Sequence, residues 1–343
     1  MQPTHTQHPK KNHKGLIVIA VIFTFICMAS PLFAAEKKVE PFLSKQDLVE
    51  KLQAHVDLST SRLTEILQDA KFQPSIIRRM NTPYEAQPYK KYRPLFVNNR
   101  LLKLGKGYSH HYQDIFKRAF KKYGVQKEII TAILGIETHY GRSQGKDKIL
   151  DSLYTLASGF PRRSVFFTKE LAHFIMLVDE EHLSLDLMKG SYAGAFGTTQ
   201  FIPSSYRHYA VDANNDGRRD VWNNHEDIIF SVANYFHEHH WDPTAPIAYV
   251  LSAPLSNRAL FKDMKAKETK EWHALSELYA AGLAPLPAPW KGSHQVAVVT
   301  LDTKEGIKHV IVHKNFYVIT RWNRSYNYAM ATAELATAFG FKP

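Results

Sequence analysis

Apolar positions recur at helical spacing over most of the chain. Between Phe42 and about Arg79, Leu48, Leu52, Leu63, Ile66 and Leu67 mark one buried face per helix. The same period predicts helices over 108–123, 126–140, 163–182 and 227–239. Met80–Tyr89 reads as a loop, and the proline-rich Leu283–Trp290 as a connector. The strong strand signals come after it, at Val296–Leu301 and His309–Trp322. No repeat and no low-complexity tract interrupts this order. The pattern predicts an α+β fold, predominantly α, with a helical core and a small β element near the C-terminus.

The first thirty-five residues follow different rules. Lys10, Lys11 and Lys14 precede an apolar run, Leu16–Cys27; Pro31 then breaks any helix, and Ala34 and Ala35 are small. That is the pattern of a secretory signal, and the run is short of the ~20 residues that span a bilayer. Residues 1–35 are therefore expected to be a signal peptide or an N-terminal anchor, which makes the protein periplasmic, with membrane association through this segment. Phe25 and Ile26 before Cys27 argue against lipidation there.

Composition narrows the remainder. The 343 residues are 44% hydrophobic and 22% charged, ordinary for a globular protein. One cysteine excludes an internal disulfide, a cysteine zinc site and a CxxC redox motif. The net charge is +12, and without the three signal lysines it is +9. An exported chain of this charge suits an anionic cell wall better than nucleic acid, which is not expected as a partner.

The candidate chemistry centres on Gln126–Gly141. Ile129, Ile130, Ile133, Leu134 and Ile136 form a buried face, and Glu137 shares it one turn on. Gly141 marks the helix end. Burial and the negative helix terminus both disfavour ionisation, so this carboxyl is expected to titrate high, as a general acid requires. The competing reading is a structural glutamate paired with Arg142 or Arg163. Lys189–Ser204 is rich in glycine, and Gly190, Gly194 and Gly197 permit close approach of a ligand or of another helix. Ser191 and Gln200 there offer hydrogen bonds to hydroxyls or amides. Arg321–Met330 mixes aromatic rings with amides, suited to a polar ring or to a helix start capped by Asn323 or Ser325.

These segments together resemble the membrane-bound lytic murein transglycosylase B family, which cleaves peptidoglycan. The matching motifs are Tyr123–Ile130, Gly135-Ile-Glu-Thr-His-Tyr-Gly141, Phe160-Pro-Arg-Arg163, Gly190–Gly197, Gln200–Tyr206, Ser231-Val-Ala-Asn-Tyr235 and Trp322–Met330, in order over nearly all of 40–340. The resemblance implies a lysozyme-like core at about 105–245 plus 310–343, a helical part at 40–104 and a small β-containing part at about 246–310. Residues 36–343 would then form the catalytic region. It implies Glu137 as the single catalytic acid, with Tyr92, Ser191, Gln200, Trp322, Asn323 and Tyr328 lining the sugar site. Trp322 departs from the family's usual tyrosine, which keeps ring stacking and loses a hydroxyl. The implied partner is the peptidoglycan glycan strand, met by a monomer without organic cofactor. A hydrolysing muramidase and a non-catalytic wall-binding protein are the competing functions.

Asp212–Asn223 fits the start of an EF-hand calcium loop. Asp212, Asn214 and Asp216 stand at positions 1, 3 and 5, Gly217 at 6 and the Arg218 carbonyl at 7. Asn223 replaces the usual closing glutamate, and the resemblance places Asp227 as the closing ligand. A structural Ca2+ is the expected metal; an Asx-rich turn without metal is the other reading. His237-Glu-His-His240 lacks the second histidine of a HExxH zinc motif, since Trp241 stands there.

Overall fold

The chain begins its described structure with three short helices whose starts are encoded locally. The computed structural model describes residues 39–82, 87–185, 187–252 and 272–343. The segment expected to be a signal or anchor, 1–35, lies outside the described residues. Ser44 caps α1 (Lys45–Gln53) in a capping box with Asp47, Ser59 caps α2 (Thr60–Gln68), and Pro74 opens α3 (Pro74–Asn81). They bury Leu48, Leu52, Leu63, Leu67 and Ile76. Then follow α4 (Tyr89–Phe96), α5 (Asn99–His111), α6 (Gln113–Tyr123) and α7 (Lys127–Thr138). The helix expected over 108–123 is broken at Tyr112, whose φ of −103° and ψ of 23° divide α5 from α6.

Two two-residue strands, β1 (Asp147–Lys148) and β2 (Lys189–Gly190), pair antiparallel around α8 (Ile149–Gly159) and α9 (Ser164–Glu180). The chain continues through α10 (Pro203–Tyr209) and α11 (His225–Glu238). A second sheet contains β3 (Ala248–Val250), β4 (His273–Ala274), β5 (Gln295–Thr303) and β6 (Gly306–His313), with α12 (Leu275–Ala280) after β4. Its order is β3-β6-β5-β4, all antiparallel, with Val299 opposite Val310. The last elements are α13 (Lys314–Trp322) and α14 (Tyr326–Phe339).

The strand expected over His309–Trp322 is thus half wrong. It stops at His313, and Lys314–Trp322 is helical. The β-branched and aromatic residues there have strand propensity, but His313 caps a helix by accepting from the Asn315 N–H, and Phe316, Val318 and Ile319 bury at helical positions. Packing outweighs local preference. Among 39–343, one continuous set of buried apolar side chains runs from α1 to α14 and includes the sheet. α8 and α9 pack together, and α7 packs against α5 and α14. No described helix is long and apolar enough to cross a membrane.

Candidate active site

Glu137 sits in the last turn of α7, whose other residues from Ile129 to Thr138 are buried. The helix ends because His139 turns left-handed at φ 51°, followed by Tyr140 at 62° and Gly141 at 85°. The stop comes two residues earlier than Gly141 alone suggests. The His139 and Tyr140 N–H groups close back on the Gly135 and Leu134 carbonyls, leaving Glu137 half-buried at the rim of the core.

Two side chains from the C-terminal helices meet its carboxylate. The Trp322 indole N–H donates to Glu137 Oε1 at 2.8 Å, and the Tyr328 hydroxyl donates to the same oxygen at 2.6 Å. Trp322 ends α13 and Tyr328 lies in the first turn of α14, whose cap is Ser325. The indole N–H thus supplies a hydrogen-bond donor at this position. The indole also packs on protein rings, with Phe201 at 5.1 Å, Tyr235 at 4.6 Å and Phe236 at 5.8 Å between centroids. Burial, then the Glu137 charge, pushes the Tyr328 phenol well above its ordinary range, so it remains a donor. Tyr92, 1% exposed, is buried with Tyr328 and adds to that shift. Asn323 follows α13 as its C-cap, half-buried beside the Trp322 contact.

The glycine-rich segment resolves in favour of internal packing. A Cβ on Gly190 would lie 2.1 Å from the Ala195 carbonyl oxygen, one on Gly194 2.4 Å from Leu153, and one on Gly197 2.8 Å from the Val221 carbonyl oxygen. Gly190 brings the loop against itself, Gly194 against α8 and Gly197 against the 212–223 loop. Ser191 Oγ accepts from the Ala195 N–H at 3.1 Å. Gln200, at φ 51°, donates from Nε2 to the Gly197 and Gln144 carbonyls. The next acids after Glu137 in sequence are engaged elsewhere: Asp147 pairs with Arg79, and Asp151 accepts from the Lys71 N–H.

The loop at 212–223 is tied by hydrogen bonds between its own side chains and backbone. The Gly217 N–H bonds Asp212 Oδ2 at 2.9 Å, and the Asp216 N–H bonds Asp212 Oδ1 and Asn214 Oδ1, both at 3.2 Å. The side chains of Asp212, Asn214 and Asp216 are hard oxygen donors of the type calcium takes. Arg218 follows, its N–H bound to Asp216 Oδ1. Asp227 is fully buried behind the loop, accepting from the Ala213 and Asp220 N–H groups. Burial first, then the Asp212 and Asp216 charges, raise its carboxyl above the ordinary range, against those two hydrogen bonds. Among the described residues no group of three or more His, Cys, Asp or Glu forms a metal-binding cluster. The residue types suit calcium, while the oxygens of Asp212, Asn214 and Asp216, like those of Asp227, already accept hydrogen bonds from the loop.

Sequence reasoning missed Asp220, at position 9 of this loop, whose carboxylate accepts from the Trp222 and Asn223 N–H groups. It also missed Tyr235, Phe201 and Phe236 as the bed of Trp322. Tyr235 ends a motif already noted, but nothing local shows which ring it supports.

With this geometry in place, comparison with known proteins is informative. The transglycosylase SLT domain model matches residues 43–337. The chain is 36% identical over 306 residues to membrane-bound lytic murein transglycosylase B of Escherichia coli, covering 85% of this chain and 81% of that protein. Soluble lytic transglycosylase SltB1 of Pseudomonas aeruginosa superposes with a TM-score of 0.76 at 34% identity, covering 86% of this chain and 97% of the other. The Escherichia coli lytic transglycosylase SLT35, solved in complex with calcium, superposes with a TM-score of 0.75 at 36% identity, covering 86% and 91%. Matched over most of its length in sequence and in fold, the chain belongs to the transglycosylase SLT domain family.

Proposed function

We propose that this protein is a peptidoglycan lytic transglycosylase in which Glu137 is the only acid and base. The observation that carries the reading is the carboxylate at the end of an apolar helix, held on one oxygen by Trp322 and Tyr328. Family membership supports the substrate, a glycan strand of alternating N-acetylglucosamine and N-acetylmuramic acid.

The chemistry needs one carboxyl. Glu137 donates its proton to the oxygen joining muramic acid C1 to glucosamine C4, and the C1–O bond breaks. The substrate's own N-acetyl group supports the positive charge at C1. The Glu137 carboxylate then takes the proton from the muramoyl 6-hydroxyl, whose oxygen bonds to C1 as a 1,6-anhydro ring. The proton is returned to Glu137, and no water is consumed. Ordinary glycosidases need a second carboxylate as nucleophile or base. Asp147 and Asp151, the next acids in sequence, are bound to Arg79 and to the Lys71 N–H respectively, which supports a single-carboxyl mechanism. Ser191, Gln200, Asn323 and Tyr92 are assigned to the sugar site, with Trp322 and Tyr328 orienting the acid.

The Escherichia coli relative is a membrane-bound enzyme by name, which supports a periplasmic protein held at the membrane by its N-terminal segment. Calcium, if bound, would be held by Asp212, Asn214, Asp216 and the Arg218 carbonyl, with Asp227 behind them. Its role would be to fix the loop, since Glu137 lies outside it.

Mass spectrometry of products from purified sacculi tests the reaction. Anhydro-muropeptides, lighter than hydrolysed ones by one water, are expected. Reducing-end products alone would identify a hydrolysing muramidase, and intact sacculi a binding protein.

A further inference from the structure

The turn after the catalytic helix, the glycine loop and the exit of the 212–223 loop are three separate stretches of chain, and a small set of polar side chains joins them. Thr138, the residue after Glu137, is fully buried. Its hydroxyl accepts from the Gly141 N–H and donates to the Thr198 carbonyl, both at 2.9 Å. Gln144 Nε2 points to three acceptors: the Trp222 carbonyl at 2.9 Å, Thr198 Oγ1 at 3.1 Å and the Gly141 carbonyl at 3.3 Å. Thr198 in turn bonds the Trp222 carbonyl through its hydroxyl and the Val221 carbonyl through its N–H. The main-chain carbonyl of Gln144 receives the Gln200 amide at 3.2 Å.

We propose that Thr138 and Gln144 are positioning residues that hold Glu137 in register with Gln200. Neither is assigned to touch the sugar. Thr138 fixes the end of the helix on which Glu137 stands. Gln144 fixes the loop from which Gln200 projects, and its own carbonyl orients the Gln200 side chain. Gln200 sits at φ 51°, a conformation that a non-glycine residue keeps only where its surroundings impose it. The network supplies that constraint. In-register placement matters because a displacement of about 1 Å between an acid and its substrate costs about a hundredfold in rate.

The inference rests on Glu137 being the acid, and the experiment separates the two. Wild type, Thr138→Val, Thr138→Ser, Gln144→Met and Gln144→Glu are assayed on soluble peptidoglycan oligosaccharides for kcat and KM, with thermal unfolding recorded for each. Thr138→Val keeps the shape and removes both hydrogen bonds; Gln144→Met keeps the length and removes the amide that reaches all three acceptors. Both are expected to lower kcat by about ten- to a hundredfold with KM changed less than about threefold. Thr138→Ser, which keeps the hydroxyl, is expected to restore kcat to within about threefold of wild type. Gln144→Glu keeps the length but cannot donate, and should match Gln144→Met. Lowered unfolding temperatures with unchanged kcat in Gln144→Met would overturn the proposal, as would failure of Thr138→Ser to rescue. If Thr138→Val does not fold, Gln144→Met decides. A wild type without anhydro products refutes the functional reading instead.

Discussion

The Trp322 indole N–H and the Glu137 carboxylate, 185 residues apart in sequence, meet at 2.8 Å. This contact ties the C-terminal helices to α7 and orients the carboxyl. Tyr328 donates to the same oxygen, so the two donors act as a pair. Tyr328→Phe deletes one oxygen from a fully buried ring, and Trp322→Phe deletes the indole donor. A hydrogen bond to a charged group contributes about 1.5–3 kcal/mol, so each variant is expected to lose about ten- to a hundredfold in turnover. Both donors favour the ionised carboxyl. Removing either should therefore move the alkaline limb of the pH–rate profile upward, where loss of the acid's proton ends activity. Turnover measured against pH on soluble glycan checks both effects; an unmoved alkaline limb would show that the donors do not bear on the acid.

Glu137→Gln removes the proton donor while keeping the shape and both acceptor positions at the amide oxygen. General acid–base groups contribute about 10²- to 10⁴-fold, and a loss in that range or larger is expected. Chromatography of soluble muropeptides from sacculi gives the rate, and circular dichroism should show an unchanged helical signal. Wild-type digestion by this variant would exclude Glu137 as the acid.

Gly190→Ala tests the packing role of the glycine loop. Its Cβ would meet backbone, the Ala195 carbonyl oxygen at 2.1 Å, so no side-chain rotation relieves the clash. Overpacking of this kind costs about 1–3 kcal/mol, which denaturant unfolding would measure. Gly306→Ala, with open space about its Cβ but φ at 99°, gives a strain-only control.

What the sequence shows of this fold depends on where polar residues interrupt apolar ones. α1, α2 and α6 each keep a solvent face, and their period is legible. Every residue of α8 is buried, including its polar Asp151, Ser152, Thr155 and Ser158, so it presents no solvent face. α4 follows a proline-containing loop and carries Pro94 inside it, both of which read as breaks. Lys314–Trp322 looks like strand because its residues favour strands, and only its packing makes it helix. At the site, the carboxylate was legible because one acid ends an apolar face. Trp322 and Tyr328 enter the site through the family resemblance as sugar-lining residues, and their bonds to Glu137 from 185 and 191 residues away come only from the fold. The glycine loop offered two readings, and only the contacts of Gly190, Gly194 and Gly197 choose between them.

Calcium should stabilise the fold through the 212–223 loop without entering the reaction. At about a hundred times its dissociation constant, a ligand bound only by the native state adds about 2.7 kcal/mol, worth roughly 5 °C in a chain of this size. Differential scanning fluorimetry with calcium and with chelator measures the shift. Asp216→Ala is expected to abolish it while leaving turnover on soluble glycan near wild type. No shift in wild type would favour the metal-free Asx turn.

His313 should make stability depend on pH below neutrality. It is 8% exposed, caps α13 through Nδ1, and burial, then His294, pull its imidazole down to about 4. Asp242 opposes the shift and Lys314 adds to it. An unfolded histidine titrates near ~6.5, so between these values the unfolded chain binds the extra proton. Stability from this group is therefore complete above about pH 6.5 and is lost as pH falls through about 4. His313→Asn keeps a capping acceptor but cannot titrate. Unfolding free energies of the two proteins, measured by denaturant from pH 7 to 4, should converge as pH falls, because only the wild type loses this contribution. A difference that stays constant with pH would show that His313 is not held neutral in the folded chain.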